Sequence, residues 1–562
     1  MELLTGRPIQ ASPQSDSCFS LIQAWIAKCL AEHTFSCPNS SLNLLPTRLV
    51  DVGSLNDSLV LALRISEPNE TGIWIALSHC WGSGPHFTTT SATLAARRES
   101  ISYQELPKTF QDAIYVTRML GCRYIWIDSL CIIQDDTNDW AYESSQMQSY
   151  YRNATLTIAV DSAAGDHEGF LHKPRSGSEI LARLPIESNA CSGQSNEIFI
   201  RRMIPKVTTE PLFERAWTLQ EDILSPRTVH FTTEQLTWEC QQCVISESNL
   251  RPKEALEVGY RPRKNYFLIP EADPNGLGVS ASKIYERWYN IVSDYISRAM
   301  TNQEDRLPAI AGIAREIHKQ TSSAYKAGIW MEDLSKGLSW SYKYGGKRPA
   351  MYRAPSFSWA SLDPVIPHRG TSFDALYAGL IAPRGQMWSV ECQDSGESAH
   401  LIDCQLVPLD RDPFGRLASG FIKLRGSWLP PIKWSSLLDA QREKGYLEPH
   451  VNCYGQRRSS FLRRQRIAKW AQVTNENQVF CTFDEPPDTV DMIKLFFGIS
   501  FLQIARLQHN NSLKHGRVIT ALMLKAADSD GNFMRVGIAE FPCRTFSDID
   551  SAGWEKKDIS IV

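Results

Sequence analysis

Three segments of the sequence predict the fold: IWIALSHCWG at 73–82, LPKTFQDAIYVTRMLGCRYIWID at 106–128 and ATLTIAV at 154–160. Each piece contains a continuous apolar run, which is the pattern of a strand buried on both faces. In the second piece, apolar residues of 107–120 recur at helical spacing, and Gly121 stands where a helix end favours positive φ. Strand, crossover helix and strand of this length predict a right-handed parallel βαβ unit. We therefore expect an α/β fold with a parallel sheet and flanking helices.

The remaining sequence divides into parts of different character. We predict an N-terminal helix and lead-in at 1–50, an α/β domain at 51–245, a helical region at 246–350 and a strand-rich region at 351–562. The last two form a mixed α+β C-terminal region. Near the end, strand-like runs flank the turn sequence DSDG and predict a hairpin of 518–525 with 533–541. Helices are expected at 19–31, 107–120, 140–151, 213–224, 285–300, 307–317 and 328–338.

Composition excludes several classes of protein. The chain has 562 residues, with 59 Lys and Arg against 62 Asp and Glu, and a formal charge of −3. Because neutralising a phosphate backbone needs clustered basic residues, we expect no nucleic-acid partner. No apolar run is long enough for a membrane span, and the first 20 residues lack the pattern of a secretory signal. The 14 cysteines are too scattered for a dense disulfide framework, so we expect reduced thiols in a cytoplasmic protein.

Polar side chains follow the predicted strands at their carboxyl ends. Ser78 and His79 end the first strand, with Trp81 just beyond, while Asp128 and Asp161 end the next two. Functional residues of open parallel sheets gather at this edge, so we expect a crevice there. The alternative is a set of polar caps on the strand ends. A serine or cysteine nucleophile beside His79 is geometrically awkward, because adjacent strand residues point to opposite faces.

Glu143 is the sharpest catalytic candidate. It shares a helix face with Trp140 and Met147, on a helix that Asp139 is expected to cap. An inward-facing carboxylate is partly desolvated, which raises its pKa and suits it to act as a base or transition-state partner. The alternative is a structural glutamate at the edge of the apolar stripe, paired with Arg152 or another cation.

A second helix, at 213–224, places polar groups in an apolar stripe. Trp217, Gln220 and Glu221 share one face of it. Buried Gln and Glu side chains need hydrogen-bond partners, so either a polar network or a ligand should meet them. The predicted pocket residues are Ser78, His79, Trp81, Asp128, Trp140, Trp217, Gln220 and Glu221.

Two groups of residues have the types that bind metal ions. Cys29, His33 and Cys37 follow one another at four-residue steps near the end of the first helix, and Cys240 and Cys243 form an isolated CxxC. A tetrahedral zinc site needs four protein ligands, and neither group shows the missing ligands at suitable spacing. The sequence therefore predicts no metal site. It also predicts no resident cofactor, because neither GxGxxG nor GxxxxGK[ST] occurs.

Long ordered blocks of the sequence resemble the fungal heterokaryon-incompatibility (HET) domain. The matching blocks are WIALSHCWG at 74–82, the segment 106–160 and ERAWTLQEDILSPRTVHF at 214–231, preceded by LPTRLVDVG at 45–53. The region 51–245 would then be the HET domain. This resemblance implies a role in fungal non-self recognition and regulated cell death. It also implies protein partners, through self-association or binding to an incompatibility receptor.

The HET domain is thought to be distantly similar to Toll/interleukin-receptor (TIR) domains. Those domains have a flavodoxin-like parallel core, and some cleave NAD with a helix glutamate in a Trp-x-x-Glu pattern. This chain has Trp140-Ala141-Tyr142-Glu143. The resemblance therefore names Glu143 as a catalytic residue and NAD as a candidate substrate, since a carboxylate stabilises the oxocarbenium-like state as nicotinamide leaves. The alternative is a non-catalytic adaptor that self-associates.

Overall fold

The structure, a computed structural model, describes residues 7–34, 36–37, 43–53, 61–175, 178, 180–186, 196–201, 210–248, 264, 281–342, 345–365, 380–381, 392–394, 398–430, 451–452, 467–474, 477–484, 499–509, 517–543 and 554–562. The chain forms two units, Met1–Val279 and Ser280–Val562. Each unit is described below by itself.

The first unit is a mixed α/β unit. Its helices are α1 (Asp16–Glu32), α2 (Leu94–Glu99), α3 (Lys108–Met119), α4 (Asp128–Cys131), α5 (Thr137–Asn153) and α6 (Trp217–Leu224), with 3-10 turns at Tyr103–Glu105 and Pro211–Glu214. Its strands are β1 (Asn43–Leu44), β2 (Arg48–Asp51), β3 (Ala62–Ile65), β4 (Thr71–Gly72), β5 (Ile75–Ser78), β6 (Tyr124–Trp126), β7 (Leu156–Ala159), β8 (Ile180–Ile186), β9 (Asn196–Arg201), β10 (Arg227–Phe231), β11 (Leu236–Cys240) and β12 (Val244–Ser246).

One eight-stranded sheet organises this unit, in the order β12-β11-β10-β7-β5-β6-β2-β3. The strands predicted within 73–82, 106–128 and 154–160 are adjacent as expected, with β5 parallel to both β6 and β7. The sheet is nevertheless mixed rather than wholly parallel. Strand β10 continues the parallel set beside β7, whereas β2 with β3 and β11 with β12 pair antiparallel at the two ends. Antiparallel neighbours can be joined by tight turns, as β10, β11 and β12 are, so short segments extend the parallel core at that end of the sheet.

Helix boundaries follow from the capping groups. Asp136, and not Asp139, caps α5: its carboxylate accepts hydrogen bonds from the backbone N–H groups of Asn138 and Asp139. The carboxylate of Asp139 instead accepts a bond from the N–H of Ile133, which places Asp139 inside the first turn. The prediction of Asp139 as the cap was wrong by one turn. Similarly, α6 begins at Trp217 because Pro211–Glu214 forms a separate 3-10 turn.

The core of the first unit lies on both faces of the sheet. Trp74, Trp126 and Trp238 are fully buried in it. Helix α3 contributes Phe110, and α1 packs Trp25 against Trp238 with ring centroids 6.2 Å apart. Large aromatic side chains contribute much of the stability of such a core, since truncating one to Ala typically costs about 3–5 kcal/mol.

The second unit combines helices with a larger sheet. Its helices are Ala281–Ile296, Pro308–Thr321 and Leu334–Leu338, with 3-10 turns at Gln303–Arg306, Met331–Asp333 and Trp359–Ser361. Short strand pairs are Tyr325–Lys326 with Ile329–Trp330, Ser341–Tyr342 with Leu380–Ile381, and Gly346–Lys347 with Asp363–Pro364. The ten-stranded sheet contains Cys392–Asp394, His400–Pro408, Leu417–Leu429, Val451–Asn452, Ile467–Thr474, Asn477–Phe483, Ile499–His509, Arg517–Ala526, Asn532–Cys543 and Glu555–Ile561.

Two expectations for the second unit have clear outcomes. The predicted hairpin is confirmed, because Arg517–Ala526 pairs antiparallel with Asn532–Cys543 and Gly531 takes a φ of 83° at the turn. The helix predicted at 328–338 starts only at Leu334, since Ile329–Trp330 pairs as a strand. Among the described residues of the whole chain, no helix is long and apolar enough to cross a membrane.

Candidate functional site

The carboxyl ends of β5 and β6 bring together five side chains, which we call the strand-edge cluster: Ser78, His79, Trp81, Asp128 and Glu221. The hydroxyl of Ser78 donates to Oε2 of Glu221 at 2.5 Å. The indole N–H of Trp81 donates to Oδ2 of Asp128 at 2.9 Å, and Nδ1 of His79 lies 3.9 Å from Oδ1 of Asp128. Five of the eight predicted pocket residues therefore lie at one edge of the sheet, in two sets of contacts.

Neighbouring residues of this edge point to opposite faces. Ser78 turns toward α6, where it meets Glu221, and Cys80 contacts Leu212 on the same side. His79 turns toward α3, and its ring packs edge-on against Phe110 with centroids 5.1 Å apart. The alternation separates His79 from a nucleophile on either side of it. The geometry therefore gives a serine or cysteine hydrolase no support.

Glu221 is the most unusual acid of the cluster. It is only 4% exposed. Burial, with the nearby negative charge of Asp128, raises its pKa to about 7, although the Ser78 hydroxyl and Arg215 act in the opposite direction. A carboxyl group with a pKa near 7 can exchange a proton with a bound group at neutral pH. This side chain has the chemistry of a functional acid or base.

His79 has the opposite shift. Burial lowers its pKa to about 4, in spite of the negative charge of Asp128. The imidazole is therefore neutral near pH 7. Arg215 fixes the backbone here, because its guanidinium donates to the carbonyl oxygen of His79 at 2.5 Å. The cluster thus holds a neutral imidazole and a readily protonated carboxyl group at the same edge of the sheet, on opposite faces.

The other predicted pocket residues lie along α5 and α6. Trp140 and Trp217 meet at right angles with ring centroids 6.4 Å apart, and both are half-buried. Gln220 is buried in α6 beside Glu221. The half-buried members Trp81 and Asp128 give the strand-edge cluster its access to solvent.

Glu143 lies in a different group, which we call the Arg48 cluster: Arg48, Asp139, Glu143 and Tyr150. The Tyr150 hydroxyl donates to Oε2 of Glu143 at 2.7 Å, and Nη2 of Arg48 lies 3.3 Å from its Oε1. Arg48 also binds both carboxylate oxygens of Asp139, at 2.7 and 2.6 Å. Among the described contacts, none joins Glu143 to a member of the strand-edge cluster.

The environment of Glu143 is that of a structural acid. It is 1% exposed. Burial raises its pKa, while the Tyr150 hydrogen bond and the Arg48 charge oppose that shift. The expected partner was Arg152 or another cation, and the structure places Arg48 there. Sequence reasoning missed Arg48, although an arginine inside the apolar run of β2 is a signal, because a buried guanidinium requires a partner.

A third buried group, also missed from sequence, surrounds His230 on β10. Its Nδ1 lies 3.0 Å from Oδ2 of Asp161, and its Nε2 lies 3.6 Å from Oε2 of Glu239. Although burial lowers its pKa, the charges and hydrogen bonds of these two acids raise it to about 10. Asp161, expected at the crevice, is instead the partner of a protonated histidine.

Two sets of side chains in the described part of the chain could hold a metal ion by residue type and proximity. They are Cys29, His33, Cys37 and Cys240, and Asp222, His230 and Glu239. The second set already contains a cation, because Nζ of Lys264 lies 3.5 Å from Oδ1 of Asp222 and His230 is itself protonated. The first set brings together residues that the sequence showed as two separate incomplete motifs.

A small cavity elsewhere in the first unit is unrelated to these groups. It is lined by Pro13, Ser162, Phe170, Lys173, Pro174, Arg175, Phe231, Thr232 and Thr233. None of the predicted site residues lines it. The strand-edge cluster is therefore the arrangement that best combines access with unusual acid–base chemistry.

Comparison with known proteins gives one match. Residues 74–221 match the family model described as Heterokaryon incompatibility protein (HET). No curated protein and no solved structure matches the chain. The matched segment begins one residue before β5 and ends at Glu221, so it contains the whole strand-edge cluster but not Arg48. The resemblance to the heterokaryon-incompatibility (HET) domain that the sequence predicts is thus confirmed by a family-model match over residues 74–221.

Proposed function

We propose that this protein acts in fungal non-self recognition, as a cytoplasmic module that triggers regulated cell death. The observation that carries the proposal is the HET match over 74–221. Heterokaryon incompatibility is the process that the family's description names. Reduced thiols support the cytoplasmic location, since the described cysteines of the first unit are free.

The topology of the first unit supports the likeness to TIR domains. Its four parallel strands lie in the order β6-β5-β7-β10. Numbered along the chain, this order is 2-1-3-4, which is the order of flavodoxin-like sheets. In such sheets ligands bind beyond the carboxyl ends of the strands, near the point where the order reverses. Ser78 and Asp128 stand at that edge.

We place the functional centre of this module at the strand-edge cluster. Glu221 and Asp128 are two acids close enough for one to raise the pKa of the other. Two neighbouring acids that cost stability when both are charged are typical of functional sites. A partner protein or a ligand with a positive charge would relieve this cost on binding.

Cleavage of NAD by Glu143 has weaker support. A catalytic carboxylate must reach the ribosyl group, whereas this one is 1% exposed and bound by Tyr150 and Arg48. The Trp-x-x-Glu pattern is explained equally well by a helix that buries Glu143 against β2. The non-catalytic adaptor, which acts through protein partners, fits these contacts better.

The test is expression in a fungal host, with viability, protein level and cellular NAD measured together. We expect the wild type to kill and Glu221→Gln to lose killing, because the variant keeps the shape but cannot exchange a proton. Glu105→Gln is the matched control, since Glu105 is an exposed glutamate of the same HET domain. It should kill like the wild type.

The same assay separates the alternatives. We expect Glu143→Gln to kill at wild-type strength with NAD unchanged. A fall in NAD that Glu143→Gln abolishes would establish the catalytic role instead. A wild-type protein that accumulates without any loss of viability would contradict the proposed function.

A further inference from the structure

The end of α1 and the end of β11 meet in a group of metal-ligand side chains more than 200 residues apart in sequence. Cys29, His33 and Cys37 come from the N-terminal segment, and Cys240 comes from the sheet. One ligand atom from each residue lies within 4.8 Å of all the others. The sequence predicted no fourth ligand for the first three residues, and the fold supplies it.

The backbone directs these side chains to one point. The N–H of His33 donates to the carbonyl of Cys29 at 3.0 Å, and the N–H of Cys37 donates to the carbonyl of His33 at 2.8 Å. These two turns wrap the chain around the end of α1. On the other side, the N–H of Cys240 donates to the carbonyl of Cys243 at 2.9 Å, which closes the tight turn between β11 and β12.

The distance between two of the ligand atoms is close to that of a tetrahedral zinc site. Zn–S bonds of about 2.3 Å and Zn–N bonds of about 2.0–2.1 Å separate the ligand atoms of a tetrahedron by about 3.5–3.8 Å. Nδ1 of His33 lies 3.4 Å from Sγ of Cys240. Buried thiols often serve only as small apolar side chains, but such thiols have no reason to converge on an imidazole nitrogen.

The surroundings suit the charge of such a site. Three thiolates and one neutral imidazole around Zn²⁺ carry a net charge of −1. Arg227, a fully buried arginine, donates from Nη2 to the carbonyl of Cys37 at 3.3 Å. A buried cation next to the ligands offsets that charge and helps to orient the loop that carries them.

We propose that Cys29, His33, Cys37 and Cys240 bind one Zn²⁺ ion in a closed, structural site. Binding replaces the protons of three thiols, so three S–H bonds are exchanged for three Zn–S bonds and three protons are released. Four protein ligands of soft sulfur and imidazole nitrogen favour zinc over magnesium or calcium. Cys243, whose Sγ lies 3.7 Å from that of Cys240, is a neighbouring thiol outside the ligand set.

The site joins both flanks of the HET domain. Its first three ligands precede the matched residues 74–221, and Cys240 follows them. Trp25 and Trp238 pack together on the same α1–β11 interface. Zinc would therefore tie α1 to the sheet, and the folding unit would extend beyond the segment that the family model matches. This inference is independent of the proposed function.

The test is the metal content of the full-length chain, purified without chelators and measured by mass spectrometry. We expect one zinc per chain, and loss of it in Cys37→Ser and Cys240→Ser. Cys404→Ser, at a half-buried free thiol of the second unit, is the matched control and should keep the metal. Cys243→Ser should also keep it.

A second measurement uses the wild-type protein, so it tests the proposal even when the variants fail to fold. Wild-type protein exchanged into Co²⁺ should show thiolate-to-cobalt absorption and the visible bands of a tetrahedral ion. Absence of zinc from the wild type together with no cobalt spectrum, or disulfides among these cysteines, would overturn the proposal. Zinc kept by His33→Ala but lost by Cys243→Ser would overturn the ligand set.

Discussion

Glu143 and Glu221 are two glutamates of the first unit. Both are buried, but they differ in the charge that dominates their surroundings. Burial raises the pKa of both. Glu143 has a cation beside it, since Arg48 lies 3.3 Å away, whereas the negative charge of Asp128 acts more strongly on Glu221 than the positive charge of Arg215 does. Desolvation alone therefore does not identify a functional acid. The sign of the dominant neighbouring charge distinguishes a structural pair from a group free to change its protonation.

Glu143 in α5 and Glu221 in α6 also have different roles in holding the first unit together. The Arg48 cluster ties α5 to β2, because Arg48 bridges Asp139 and Glu143. The strand-edge cluster ties α6 to β5 through the bond between the Ser78 hydroxyl and the Glu221 carboxyl group. The first arrangement stabilises the fold, whereas in the second the Ser78 bond and the Arg215 charge do not outweigh burial, and the pKa of Glu221 stays raised.

The largest effect is expected for Arg48→Met. It removes the cation beside the buried Glu143 and the half-buried Asp139, and breaking a buried ion pair typically costs about 3–5 kcal/mol of unfolding free energy. The change in unfolding free energy is measured by urea unfolding that is monitored through hydrogen exchange of the β5 and β6 peptides. The control is Arg64→Met, which breaks a partly exposed pair with Glu70 and should cost at most about 1 kcal/mol. Equal losses in the two variants would contradict a structural role for the Arg48 cluster.

The next largest expected effect is a change in how the free energy of unfolding depends on pH. Glu221 has a folded pKa of about 7 against an ordinary value of 4.5, so its protonation stabilises the fold as pH falls and this gain is lost as pH rises through 7. His79 has a folded pKa of about 4 against 6.5, so it destabilises the fold as pH falls. At about 1.4 kcal/mol per pKa unit, each contributes about 3 kcal/mol, and the two largely cancel.

Single variants should expose the two opposing contributions. Relative to the wild type, Glu221→Gln should lose about 3 kcal/mol of stability between pH 7 and pH 4.5, because His79 then acts alone. His79→Gln should gain a similar amount over the same range. Urea unfolding at several pH values measures both differences. Parallel pH profiles for the wild type and both variants would show that the two groups are not shifted as described.

The smallest effect is expected for Glu143→Gln. The amide keeps an acceptor for the Tyr150 hydroxyl, and Arg48 keeps its two bonds to Asp139. The buried site also no longer holds a second negative charge. We expect a change in unfolding free energy within about 1 kcal/mol, measured by the same exchange experiment. A loss as large as that of Arg48→Met would mean that Glu143, and not Asp139, is the main partner of Arg48.

The local sequence pattern was sufficient to predict the strands and helices that carry these side chains. The apolar runs at 73–77, 124–127 and 154–160 predict β5, β6 and β7, because a strand buried on both faces must be apolar at every position. The helical spacing between them predicts α3 and α5 to within a few residues. Their parallel adjacency follows from the length of the crossovers.

What the sequence by itself determined is therefore the strand–helix order, the sheet edge that holds Ser78 and Asp128, and the match of residues 74–221 to the HET family model. Only the tertiary structure decided which groups meet across long separations. It pairs Glu143 with Arg48 and brings Cys240 to the end of α1. Periodicity reports only which face of an element is buried, whereas the partner on that face depends on how distant elements pack.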